Sequence, residues 1–361
     1  MKGYNSQKNK SVYSRGEMTE GIRNILVTGG LGYIGSHTVV ELVQAGYTPI
    51  IVDNLSNSHR SYLERIEDVV GRSIAFYEVD CCDEVALRWI FETHDIDAII
   101  HFAAFKSVEE SERKPEMYFK NNVGSTEVVL NLAIEFGVSR FVFSSSCTVY
   151  GNPESNPVSE ESALLPAVSV YGKTKQACEE IISSKSRALK SVVLRYFNPI
   201  GAHPTTKIGE SYTGSPTNLV PLLCEVANKE RAKFFVFGND YNTPDGTCVR
   251  DYIHVVDLAK AHVLALGFNQ QNTLEVFNLG VGKGYSVLEV LRAFEQVNQL
   301  TLPVEFAGRR EGDVERIWAS AAKAESILGW KAQFSLEESL LHAWKWKQFE
   351  SSNVQLGAKH Q

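Results

Sequence analysis

Several things are scarce in this sequence, and each scarcity closes a door. Basic residues are not in excess: 36 Lys and Arg stand against 43 Asp and Glu in 361 residues, a net charge of −7. A nucleic-acid binder normally shows a basic face, so no nucleic-acid partner is expected. Long apolar runs are missing too. None reaches the roughly 18–20 residues of a membrane helix, so no membrane is expected either. The cysteines, at 81, 82, 147, 178, 224 and 248, include no C-x-x-C pair. Adjacent Cys81 and Cys82 suit neither a zinc cage nor a disulfide framework. We therefore expect no metal site, and reduced thiols in a cytoplasmic protein. Met1 to Gly21 lacks the apolar stretch of a signal peptide and reads as a flexible polar tail, as does Ser351–Gln361.

What is present is an ordinary globular composition, 43% hydrophobic and 22% charged, which excludes disorder for the bulk of the chain. The length implies about two domains, with a core that needs no covalent staples. Apolar strand-like runs at Asn24–Thr28, Thr48–Asp53, Ile74–Val79, Ala98–Phe102, Arg140–Ser144 and Val192–Arg195 alternate with helical patterns near 34–45, 84–94, 115–136 and 170–187. Strands buried on both faces read as continuous apolar runs, so the alternation predicts an α/β fold with a doubly wound parallel sheet. Pro199 to Pro221 loses periodicity and reads as long loops where a second ligand would be held. Capping boxes at Ser286–Glu289 and Ser335–Glu338 announce two later helices. The expected layout is a dinucleotide-binding domain over 22–198, with later segments able to return to it, and a smaller α/β substrate domain over 199–350.

The first strand runs into Thr28-Gly-Gly-Leu-Gly-Tyr-Ile-Gly-Ser36. Glycines 30, 32 and 35 satisfy G-x-G-x-x-G, and glycines 29, 32 and 35 satisfy G-x-x-G-x-x-G. Glycine is needed where backbone turns tightly, approaches a pyrophosphate and lets helix pack on sheet, and the helix N-terminus then faces the phosphates. Asp53 ends the second strand, where a carboxylate accepts ribose hydroxyls and repels a 2′-phosphate. The register favours NAD over NADP. Farther on, Ser144-Ser-Ser146 follows a strand, and Tyr171 and Lys175 stand at i and i+4 on one helix face. A free tyrosine titrates near 10. A nearby ammonium and a nicotinamide cation would each stabilise its phenolate, and Ser146 could relay the proton.

These residues resemble the extended short-chain dehydrogenase/reductases, and among them the UDP-glucose (UDP-galactose) 4-epimerase family, over residues 22–350. The resemblance is carried by Thr28–His37, His101-Phe-Ala-Ala-Phe-Lys106, Phe143–Gly151, Tyr171–Lys175 and Arg195–Pro199, and continues through Gly201–His203, Asn218–Pro221, Phe237–Tyr241, Asp245–Tyr252 and Arg309–Asp313. It implies reversible 4-epimerisation of UDP-galactose and UDP-glucose through a 4-keto sugar, with hydride passing to a tightly held NAD and back to the opposite face. It implies Ser146, Tyr171 and Lys175 as catalytic residues. NAD contacts are implied for Gly29, Gly32, Tyr33, Ile34, Gly35, Asp53, Asn54, Asp80, Phe102, Ala103, Lys106, Asn121, Ser144, Tyr171, Lys175 and Tyr196. The UDP-sugar would meet Ser146, Tyr171, Asn198, Asn218, Leu219, Phe237, Arg250, Tyr252, Arg310 and Asp313. Arginine forks suit a diphosphate, asparagine pairs with hydroxyls or uracil, and an aromatic packs on the base. A homodimer paired through two helices per subunit is also implied.

Two positions depart from the family pattern. Ile317 stands where side-chain size controls room at the sugar's C2, so N-acetylated sugars remain an alternative substrate. Val314-Glu-Arg316 is charged where small or apolar residues are expected, which leaves the local geometry open. Cys147, where alanine is common, reads as a packing change. A 4,6-dehydratase or decarboxylase would need an acid in Ser146-Cys-Thr-Val-Tyr-Gly151, which has none. A non-catalytic NAD sensor would have no need of the intact Ser, Tyr and Lys. A separate mutarotase domain finds no room in this chain.

Overall fold

Seven parallel strands build the main sheet, and their order decides where a ligand can sit. In the computed structural model, residues 21–357 are described except 213, 269–271 and 311, with backbone only from 353 onward. The expected tail over 1–21 lies, but for Gly21, outside the described residues. The first half of the chain supplies β1 (Asn24–Thr28), α1 (Tyr33–Gln44), β2 (Thr48–Asp53), α2 (Ser61–Val70), β3 (Ala75–Glu78), α3 (Glu84–Thr93), β4 (Ala98–His101), α4 (Val108–Arg113), α5 (Pro115–Tyr118), α6 (Gly124–Glu135), β5 (Arg140–Ser144), α7 (Val170–Lys185) and β6 (Ser191–Tyr196). The second half supplies β7 (Asn198–Ile200), α8 (Leu219–Ala227), β8 (Phe234–Phe237), β9 (Val249–Arg250), β10 (Tyr252–His254), α9 (Val255–Gly267), β11 (Leu274–Leu279), β12 (Tyr285–Ser286), α10 (Val287–Asn298), β13 (Val304–Ala307), β14 (Arg316–Ile317) and α11 (Leu336–Gly357).

The sheet runs β11-β6-β5-β4-β1-β2-β3, with every neighbouring pair parallel. The order reverses direction at β1 and β4, and ligands in such sheets bind outside the strand C-termini at that switch point. Residues of β1, β4 and β5 are almost wholly buried, because helices cover both faces. One core layer joins Ile25, Val27 and Ile100 to α1 and α9, and the other joins Leu26, Ile99 and Phe141 to α3 and α6. A third cluster, around Leu223, Phe294 and Leu340, packs α8, α10 and α11 in the second half.

Some local expectations are corrected. The helix expected over 115–136 is interrupted: α5 stops at Tyr118, a π-helical turn spans Phe119–Val123, and α6 begins at Gly124. The turn carries Asn122, whose amide donates to the Phe105 carbonyl at 3.0 Å while its oxygen accepts from the Phe105 N–H at 2.8 Å. A polar tie to the neighbouring loop thus wins over regular helix. Helix α11 runs through Gly357, past Ser351, where the second tail was expected to begin; 358–361 lie outside the described residues. Both capping boxes form, with Glu289 N–H on Ser286 Oγ at 3.0 Å and Glu338 N–H on Ser335 Oγ at 3.1 Å. The charged Val314-Glu-Arg316 segment enters a small sheet, where Arg316 and Ile317 pair with Val249 and Arg250. Glu315 and Arg316 form an ion pair at 2.8 Å, so their charges satisfy each other.

Candidate active site

At the switch point lies an open cleft. Its floor is the turn between β1 and α1. Gly29 has φ +68°, and a Cβ there would stand 2.8 Å from the Ala103 nitrogen. A Cβ on Gly35 would stand 2.2 Å from the Gly29 carbonyl oxygen, so the backbone after β4 requires glycine at 29 and the packing of α1 on the turn requires it at 35. Of the two glycine spacings readable in the sequence, 29, 32 and 35 is the one whose three members all line the cleft. Helix α1 opens at Tyr33 after Gly32, with no side-chain cap and no acid in its first turn. Its N-terminal dipole end is therefore uncompensated and suits an anion.

Asp53, at the end of β2, holds its own side of the cleft. Its carboxylate accepts from Leu31 N–H at 3.1 Å, Leu55 N–H at 3.0 Å and Ser58 Oγ at 2.7 Å. Asn54 donates to Asp80 at 3.2 Å. Of the residues implied as NAD contacts, all but Ser144 line this cleft. Ser144 stands behind it, its carbonyl accepting from Lys175 Nζ at 2.8 Å and its hydroxyl donating to the Tyr196 hydroxyl at 3.0 Å. The glycine cradle, the bare helix end and the carboxylate together fit a dinucleotide whose ribose carries no phosphate. Ser56, Ser58, Cys81, Phe105 and Ser211 also line the cleft, and sequence reasoning missed them. A usable signal existed for one group: a Ser-Asn-Ser run follows Asp53 and Asn54 closely.

Tyr171 and Lys175 line the cleft, and Ser146 stands beside them in hydrogen-bond reach of Tyr171. Ser146 opens a 3₁₀ turn over Cys147–Tyr150, and its Oγ accepts from Thr148 N–H at 3.3 Å and Thr148 Oγ at 3.0 Å. Tyr171, on α7, is buried, and burial pushes its phenol well up; a hydrogen bond with Ser146 pulls the other way. Lys175, one turn on, is pulled down to about 8 by burial, against the raising effect of Cys178 and Glu179. Its Nζ lies 5.9 Å from the centre of the Tyr171 ring. The sequence had led us to expect an ammonium that lowers the phenol. Instead the ammonium rests on the Ser144 carbonyl, and desolvation dominates Tyr171. Cys147 packs against the small cluster that contains Val149 and Ile317, and burial pushes its thiol up to about 12, which makes it inert packing.

Behind this group runs a buried network. Glu179, on the same face of α7, takes Arg195 Nη2 at 2.6 Å and Nε at 3.0 Å, and accepts from Ser145 Oγ at 2.5 Å. Arg195 also donates to the Tyr150 hydroxyl at 3.1 Å, which donates to Asn278 at 2.7 Å. The serine-rich end of β5 is thus tied to α7, β6 and β11.

The residues expected at the sugar nucleotide divide among several elements of the second half. Asn218 is the N-cap of α8 and Leu219 its first residue. Asn198 and Tyr252 lie on the paired strands β7 and β10. Arg250 stands opposite Ile317 across β9 and β14. Ile317 is 4% exposed in a small cluster with Val149, Tyr150 and Phe197, so it is a core residue beside the Ser146 turn. Phe237 is 40% exposed, with the Arg310 guanidinium 5.8 Å from its ring centre, and Arg310 pairs with Asp313 at 2.8 Å.

Comparison with known proteins decides the family. A family model described as GDP-mannose 4,6 dehydratase matches residues 26–342. A UDP-glucose 4-epimerase of Dictyostelium discoideum is 47% identical over 90% of this chain and 95% of its own length. The chain belongs to the UDP-glucose 4-epimerase family. Among solved epimerases, that of Bifidobacterium longum, in complex with NAD+ and UDP, superposes with a TM-score of 0.88 at 42% identity, covering 91% of this chain and 99% of its own. The Stenotrophomonas maltophila epimerase, with NAD and formylated UDP-arabinopyranose, gives 0.89 at 43%, covering 92% and 99%.

Proposed function

We infer that this chain is an isomerase that interconverts UDP-galactose and UDP-glucose at C4, with NAD held in the cleft at the switch point. The observation that carries this reading is the meeting of Ser146, Tyr171 and Lys175 at a cleft shaped for a dinucleotide. Gly29, Gly32 and the start of α1 would hold the pyrophosphate, Asp53 the adenosine ribose, and Lys175 the nicotinamide ribose. When bound, NAD supplies a reversible acceptor for the C4 hydride and a positive charge beside the phenol.

Tyr171 Oη takes the proton of the sugar 4-hydroxyl, and Ser146 Oγ hydrogen-bonds the same oxygen. Lys175, fixed by the Ser144 carbonyl, holds its charge one helical turn away. Arg250 and Arg310 would clamp the diphosphate, with Phe237 and Asn218 toward the base. Binding energy concentrated on UDP leaves the sugar able to turn over without leaving. A dehydratase would need a carboxyl group after Ser146, and the turn there, Cys147–Tyr150, carries none.

The same reading puts the protein in the cytoplasm as a homodimer. All six cysteines are unpaired, as a reducing compartment leaves them, and no helix among the described residues is long and apolar enough to cross a membrane. Proton NMR of UDP-galactose with the purified protein, no cofactor added, tests the activity. Growth of the UDP-glucose anomeric signal is expected, and Tyr171→Phe should abolish it while retaining NAD. No conversion after NAD is added would overturn the assignment.

A further inference from the structure

We propose that Glu210 is a positioning residue that ties the cofactor side of this site to its sugar-nucleotide side. The loop between β7 and α8 has no regular structure over its described residues, yet it is pinned at several points. The Tyr33 hydroxyl donates to the Gly201 carbonyl at 2.7 Å, the Tyr62 hydroxyl to the Gly209 carbonyl at 2.9 Å, and the Trp346 indole N–H to the Glu210 carbonyl at 3.0 Å. A Cβ at Gly209 would lie 2.3 Å from the Trp346 ring, so the loop is pressed flat on the indole and only glycine fits there. Elements α1, α2 and α11 thereby hold one short stretch of backbone in place.

That stretch presents a single carboxylate. The Glu210 side chain is 11% exposed, and its Oε1 accepts from Lys106 Nζ at 2.9 Å and from Asn218 Nδ2 at 3.4 Å. Lys106 lines the dinucleotide cleft. Asn218 caps α8 without bonding its own helix through the side chain. Glu210 itself does not line that cleft, so its benefit to binding must come through the groups it holds. Lys106 is about half exposed, and a four-carbon ammonium left loose would surrender much rotamer freedom when a phosphate captures it. Held in advance, it surrenders less. An ordinary surface ion pair is worth little; this one differs in that its acid is covered and immobilised and its second partner is on the substrate side.

The inference rests on the epimerase reading, and the test separates the two. Wild type, Glu210→Gln, Glu210→Asp, Lys106→Met and the Lys106→Met/Glu210→Gln double variant are compared by NAD retained per chain after gel filtration. KM and kcat for UDP-galactose are then measured at saturating NAD. Glu210→Gln should lose about tenfold in NAD affinity and raise KM about tenfold, the scale of one charge-assisted hydrogen bond, with kcat within about twofold. Glu210→Asp should recover part of both. The double variant should retain no less NAD than Lys106→Met alone. Wild-type retention and KM in Glu210→Gln, or additive losses in the double variant, would overturn the proposal. Circular dichroism identifies any variant that fails to fold, and Glu210→Asp against Lys106→Met then carries the comparison. If the wild type retains NAD but converts no UDP-galactose, the epimerase reading fails while NAD retention still decides the role of Glu210.

Discussion

The buried pair of Glu179 and Arg195 offers the sharpest test of how this site is held. Both side chains are about nine-tenths covered, at 10% and 6% exposure, and meet in a two-pronged contact. Replacing Arg195 by Met keeps most of the stem's packing but leaves the Glu179 carboxylate in the interior with the Ser145 hydroxyl. Breaking such a pair from one side costs about 3–5 kcal/mol, a large part of the roughly 5–15 kcal/mol that holds a typical protein folded. Replacing both, as Glu179→Met with Arg195→Met, removes the charge along with its partner. The double variant should regain most of the loss, because the desolvation of two ions disappears with their attraction. Urea unfolding followed by tryptophan fluorescence measures this directly, through the midpoints of wild type, both single variants and the double. The single variants should unfold at clearly lower urea than the double. A double variant as unstable as the worse single one would refute the reasoning, since the loss would then be one of shape.

Other outcomes follow from the same structure. Asp53→Asn should weaken NAD retention and narrow the preference for NAD over NADP, because the carboxylate that organises Leu31, Leu55 and Ser58 loses its charge; fluorescence titration with both dinucleotides checks it. Ile317→Ala should cost about 2–4 kcal/mol of stability and raise turnover of UDP-N-acetylgalactosamine relative to UDP-galactose; unchanged relative turnover would remove Ile317 from the C2 pocket. Acid should destabilise the fold before any exposed carboxylate titrates. Burial holds His37 and His101 down to about 3, and His203 and His262 down to about 4, whereas the unfolded chain protonates them near 6.5. Below that pH the unfolded state binds more protons, so stability falls as pH falls toward 4. Glu41, raised to about 7, and Asp251, raised to about 6, offset part of the loss. Urea midpoints at pH 7.5 and pH 5 should show the net drop.

The sequence made the central sheet readable because its inner strands are buried on both faces and so appear as unbroken apolar runs. Strand β11 was not recognised, because Glu275 and Asn278 interrupt its run. Glu275 is there to pair with Lys323 at 3.0 Å, and Asn278 to accept from the buried Tyr150 hydroxyl, contacts set by residues distant in the chain. Helix α9 escaped for a related reason. Buried almost all round, it shows no polar face, and periodicity has nothing to detect. In the site, the glycines and the Tyr171–Lys175 spacing are local and were legible. The meeting of Lys106 with Glu210 spans 104 positions and leaves no local trace.

Strand β11 also bears on how the molecule is made. In the sheet beside the cofactor cleft, β6 is paired on its outer side by residues 274–279, and α1 is covered by α9, from residues 255–267. A nascent chain released only as far as β6 therefore has the glycine turn, Asp53, Tyr171 and Lys175 already synthesised, but an open strand edge and an uncovered apolar helix face. Unpaired edges and bare apolar faces invite aggregation. Synthesis must run some eighty residues past the last strand of the first half before those surfaces are sealed. Stalled or proteolytically shortened chains that stop near residue 198 should be sticky and chaperone-dependent rather than compact dinucleotide-binding fragments.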